Sequence, residues 1–139
     1  MSRDLRLPLR EAVVTHLRGV AALTVLVPAG QIYGERVPAD RKKPYIAYGR
    51  SEVDAFEATC IRGGRIPIRL HVFAEGEDSS VISKISAALV SALDDAQLEL
   101  DEGWCLDISF VRTTPVPVGS ETTSWHDQVS FEALTGVGD

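Results

Sequence analysis

A chain of 139 residues, 45% of them hydrophobic, suits one domain with a buried core and is too apolar for disorder. No apolar run approaches the roughly 20 residues of a membrane span, and the N-terminus, MSRDLRLPLREAVV, mixes acids with bases and lacks the apolar segment of a secretory signal. A formal net charge of −6 argues against phosphate binding by the overall field, and Cys60 and Cys105, far apart and without C-x-x-C or metal spacing, read as reduced thiols of a cytosolic protein.

In chain order, Leu9, Val13 and Leu17 recur at helical spacing, which predicts a first amphipathic helix over residues ~5–18. Pro8 fits its first turn and Gly19 the position after it. Val20–Val27 is apolar throughout, and periodicity does not separate a buried strand from a short helix there. Gln31–Gly34 reads as a short strand, Glu35–Pro44 as a charged surface loop, and Tyr45–Gly49 as the next strand. The following segment bends through Asp54 to Glu57 and returns as a strand, with Gly63-Gly64 as a bulge or tight turn.

The stretch from Arg65 to Asp95 is the centre of the expected core. Ile66, Ile68, Leu70 and Val72 alternate with Arg69, His71 and Phe73, the period of a strand with one buried face. Pro67 lacks a ladder donor, so that strand needs an edge side or a bulge there. Val81, Ile82, Ile85, Ala88, Leu89, Ala92 and Leu93 then form a helical stripe, with Asp78 or Ser79 as its N-cap. Leu106, Ile108 and Phe110 alternate in a further strand. Thr113–Ser124, with Pro115 and Pro117, reads as a long exposed excursion. In the last strand Trp125, Asp127, Val129, Phe131 and Ala133 alternate with His126, Gln128, Ser130 and Glu132, and residues 135–139 read as a frayed tail. The order implies a single domain over 1–139, α+β, with one mainly antiparallel sheet and two helices packed on one face.

No G-x-S-x-G, Walker, G-x-G-x-x-G or H-E-x-x-H motif is present. The acids at 75–78 and 94–102 lack the spacing of a calcium loop, and Arg41, Lys42 and Lys43 are too few for a nucleic-acid arm. If the two strands that carry them are neighbours, His71 and His126 meet, which opens a metal or acid–base alternative without a third ligand of motif spacing. Helices on one face leave Arg69, His71, Phe73, Gln128, Ser130 and Glu132 on the other, a mixed surface suited to another subunit. The two long loops read as contact segments.

Several segments in order carry a family resemblance: the helix ending near Gly19; Gln31-Ile32-Tyr33-Gly34; Lys43-Pro44-Tyr45-Ile46-Ala47-Tyr48-Gly49; Gly63-Gly64 leading into Ile68–Glu75; the following helix; and Phe131-Glu132-Ala133-Leu134. The chain resembles the small phage tail-completion proteins that terminate the tail tube, a component also encoded by gene transfer agents. Pro67 and the Pro115–Pro117 excursion depart from the family pattern. The resemblance implies a structural virion protein, not an enzyme, with no cofactor. Such proteins look like ring subunits, commonly hexameric, that cap the tube, end its polymerisation and form the tail-side surface for head–tail joining. The implied partners are further copies, the major tail tube protein and head–tail connector proteins. Double-stranded DNA would pass through the lumen unheld, and no membrane is involved. The implied location is the host cytoplasm during assembly, then the top of the tail in the particle. Arg69, His71, Phe73, Arg41, Lys42, Lys43, Val116, Val118 and Glu121 are the candidate subunit or tube contacts. The alternative is a small ligand-binding or enzymatic α+β domain using His71 and His126.

Overall fold

The structure, a computed structural model, describes residues 3–58, 61–119 and 123–138. Two helices open the chain, α1 (Arg6–Arg18) and the short α2 (Ala21–Thr24), followed by a 3-10 turn (Ala29–Gln31). Strands β1 (Ile32–Tyr33), β2 (Tyr45–Gly49), β3 (Asp54–Ala58) and β4 (Ile61–Glu75) come next, then α3 (Ser80–Leu93), β5 (Trp104–Val116) and β6 (Ser124–Gly138). The fold is α+β with one mixed six-stranded sheet, ordered β1-β2-β4-β6-β5, with β3 also on β4. Among the described residues only the β1–β2 pair is parallel.

The alternation along β4 sets the layers. Ile66, Ile68, Leu70 and Val72 are buried and join Val129, Phe131 and Ala133 of β6 in one core cluster. The helix stripes complete it: Leu9, Val13 and Leu17 from α1, and Ile82, Ile85, Leu89 and Leu93 from α3. Each large side chain so buried contributes about 1.5–3 kcal/mol. His16 Nε2–H donates to the Ala92 carbonyl at 2.8 Å and ties α1 to α3. At the start of α3 the Asp78 carboxylate accepts the Ser80 N–H at 2.8 Å, while the Ser79 side chain makes no cap bond.

Several expectations change. Val20–Val27 resolves as helix around Ala21–Thr24, with Leu23 and Val27 buried. Asp54–Glu57 is not a bend but most of β3, a full partner of β4. Gly63 and Gly64 lie in unbroken ladders and mark close approach, not a turn: a Cβ at Gly63 would collide with the Thr135 carbonyl, and at Gly64 with Val53. Pro67 falls where β4 passes from β3, paired through Arg65, to β2, paired from Arg69. Its carbonyl there accepts the Ser51 hydroxyl at 2.6 Å. A residue's N–H and C=O point to the same side of a strand, so the missing donor faces this gap and the β6 ladder loses nothing.

The excursion is shorter than Thr113–Ser124, because Thr113–Val116 continues β5 in pairing with β6. The tail is not frayed through 138: Thr135 and Val137 are buried and β6 pairs with β4 as far as Ile61↔Gly138. Asp139 lies outside the described residues, as does Cys60. In β5 only Ile108 of the expected Leu106, Ile108 and Phe110 face is buried. Irregularities between Cys105 and Asp107 and between Phe110 and Arg112 shift the register twice, which breaks the period of two.

Candidate functional site

Register builds the open face of the sheet. Tyr45 of β2 lies opposite Phe73 of β4, Phe73 opposite His126 of β6, and His126 opposite Val116 of β5. Directly opposed residues in antiparallel strands bring their side chains together. The Tyr45 and Phe73 rings stack at 4.6 Å and the Phe73 and His126 rings at 4.1 Å, so one aromatic row crosses three strands. The next rung is Ala47, His71, Gln128 and Thr114, and the one after is Gly49, Arg69, Ser130 and Arg112. A Cβ at Gly49 would stand 3.1 Å from His71 Nε2, so this position keeps room for the imidazole.

His71 and His126 do meet. Their Nδ1 and Nε2 atoms lie 3.0 Å apart, a distance at which one imidazole N–H donates to the other ring's bare nitrogen. Burial holds both rings below the ordinary value of 6.5; for His126 the neighbouring His71 lowers it further and Asp127 opposes the shift. The pair is therefore neutral at pH 7. Among the described residues no three His, Cys, Asp or Glu side chains converge to hold a metal. Cys105, whose thiol burial pushes up to about 11, is poorly suited to nucleophilic chemistry. His71, Phe73 and His126 line an open depression of about 460 Å³ with Tyr45, Val37 and Arg41.

The other sequence candidates take up varied positions around this face. The Arg41 guanidinium sits 5.9 Å from the Tyr45 ring centre and extends the row. Lys43 Nζ donates to Ser124 Oγ at 3.0 Å and lies 3.6 Å from Glu75, at the end of the β4–β6 ladder. Arg69 pairs with Glu52 at 3.1 Å. Lys42 is exposed on the loop. Val116 lies opposite His126 in the row, and both line, with Val118, an adjoining open groove of about 680 Å³ that reaches the start of α3. Glu121 lies outside the described residues.

Sequence reasoning missed Tyr45 as a member of the row, although its place at the start of a strand after Pro44 was the available signal. It also missed the outer surface of β5, where Trp104 is 52% exposed and Leu106, Phe110 and Val111 are exposed too. The two register shifts in β5 break the sequence period that would have shown them. Among the described residues no helix is long and apolar enough to cross a membrane.

A family model described as tail completion protein gp17 matches residues 11–136. The fold is similar to that of a chain in the solved virion of a native gene transfer agent (GTA) particle, with a TM-score of 0.85 and 22% identity over 97% of this chain and 99% of that one. It is also similar to the gp17 protein of bacteriophage SPP1, with a TM-score of 0.56 and 20% identity over 94% of this chain and 89% of that one. At these identities the likeness is one of fold. No curated protein matches the chain.

Proposed function

Because the chain belongs to the tail completion protein gp17 family, we propose that it is a structural subunit that closes the growing end of a tail tube, stops its polymerisation and offers the surface on which the head joins. The family match over residues 11–136 carries this reading. Copies of the chain form a ring, with six as the expected number. The ring contacts the tail tube protein on one side and connector proteins on the other, and double-stranded DNA passes through without being held. It assembles in the host cytoplasm and stays at the top of the tail. The open sheet face supports the role: a stacked aromatic row among polar side chains is the composition of a protein contact.

The test is deletion of the gene and complementation with the wild type, with tails and joined particles counted by electron microscopy. Tails of uncontrolled length, or tails without heads, are expected in the deletion and are cured by complementation. Normal, joined particles in the deletion would sink the reading. The second reading, acid–base or ligand chemistry at the histidines, has the 3.0 Å contact in its favour. It requires that His71→Gln with His126→Gln abolish function in a folded protein, and normal particle yield from that variant removes it.

A further inference from the structure

The two edges of the sheet differ in chemistry. On β5 the register shifts fall at Leu106 and Val111, and these two are exposed along the edge strand together with Trp104, opposite Gly136, and the outer part of Phe110, whose ring meets Phe131 at 5.8 Å. Part of this edge's backbone is already satisfied. The Asp95 N–H donates to the Ile108 carbonyl at 2.9 Å, and the Phe110 N–H donates to Asp94 Oδ1 at 2.9 Å. Recognition along that stretch therefore falls to side chains and not to an added strand.

Acids surround the apolar row: Asp94, Asp95, Glu99, Asp101, Glu102 and Asp107. None of them makes an ion pair with a described residue. They are six of the chain's 20 acids, and the exposed Arg112 on β5 is the base among them. The opposite edge, at β1 and the loop from Glu35 to Lys43, carries Arg36, Arg41 and Lys42, all exposed and without an acidic partner among the described residues. Beside it, the turn after α2 that leads into β1 exposes Val25 to 78% and part of Leu26.

We infer that the acidic, apolar β5 edge of one copy docks on the basic β1 edge of the next. The occupant is a second copy because the complementary charges and the second apolar knob are on the same molecule. The two edges lie at opposite ends of the strand order, so the contact is head-to-tail and each copy can hold two neighbours at once. An apolar, aromatic centre with a charged rim is the anatomy of a protein contact, with the charges fixing the partner and register. The inference deepens the ring reading above and rests on it only for closure of the series.

Sedimentation of charge-swapped variants tests it. Asp101→Lys with Glu102→Lys, and separately Arg41→Glu with Lys42→Glu, should each associate at least tenfold more weakly than the wild type. An equimolar mixture should regain wild-type association, because in an alternating series every edge again meets its opposite. Trp104→Ser, at an exposed position, should also weaken association tenfold or more while leaving the thermal midpoint near the wild-type value. A wild type that stays monomeric, swapped variants that associate normally, or a mixture that stays apart would each overturn the inference. Complementation by the same variants separates the two ideas: controlled tail length with unaltered association sinks this contact and leaves the tail role standing.

Discussion

Asp127 is a carboxylate on the core side of β6, only 8% exposed, and the Ser86 hydroxyl of α3 donates to its Oδ2 at 2.8 Å. Ser86→Ala should cost about 1–3 kcal/mol, because the acceptor stays buried without that donor. Denaturant unfolding measures this, and an unchanged midpoint would show that water replaces the hydroxyl. The histidine pair gives a pH signature. Both pKa values are lower in the folded chain than the ordinary 6.5, so the unfolded chain binds more protons between the two values. Stability is then complete above pH 6.5 and falls as the pH drops through that value toward the folded pKa values. Thermal midpoints from pH 7.5 to 5 should show the fall, and His71→Gln with His126→Gln should flatten it; an unchanged slope would exclude the pair as its source. The meeting of the two rings was legible in the sequence, since two strands of clear period placed both on the outer face. The Ser86–Asp127 bond was not, because a serine inside an apolar helix stripe looks like a break in the pattern.

For the elements, legibility followed the length of unbroken period. α3, β4 from Ile66 onward and most of β6 were readable because one hydrophobic repeat runs through each, and β2 because a short apolar run follows Pro44. β5 was not, because its two bulges reset the alternation, and β3 was not, because five residues with a single large apolar side chain give no face. Leu89, fully buried in α3, tests the stripe. Leu89→Asp removes packing worth roughly 2–5 kcal/mol and adds a buried carboxylate with no partner, against a typical total stability of about 5–15 kcal/mol. Loss of the folded circular dichroism spectrum is expected, and a soluble variant with the wild-type midpoint would contradict the packing. The β5–β6 hairpin gives the opposite outcome. Because Val116 pairs with His126 and the Thr123 carbonyl accepts the Gly76 N–H at 2.9 Å, shortening is confined to residues 117–122, and replacing them with Asn-Gly should leave the thermal midpoint within a few degrees. Under the proposed function the same change lowers the yield of joined particles, and normal yield would remove the hairpin tip from the contact surface.

At the level of the molecule, the class of fold was written in the order of elements, while the two unlike edges were not, because an edge is defined only once strands have been paired. The strand order has a further consequence, for the time course of folding. β6 is last in the chain, yet it lies between β4 and β5 and supplies the partner for all fifteen residues of β4. The central ladder can therefore form only by closing loops that span the second half of the chain, from Glu75↔Ser124 at the near end to Ile61↔Gly138 at the far end. Such distant pairing puts the chain among slow folders, on a scale of roughly milliseconds to seconds. Until β6 arrives, β4 has partners only on its β2 and β3 side and presents its other edge unpaired. Refolding yield should accordingly fall as protein concentration rises. Monomers must complete this step before any edge is available for assembly, so the supply of folded subunits, and not only their affinity, sets how fast an assembly of them can appear.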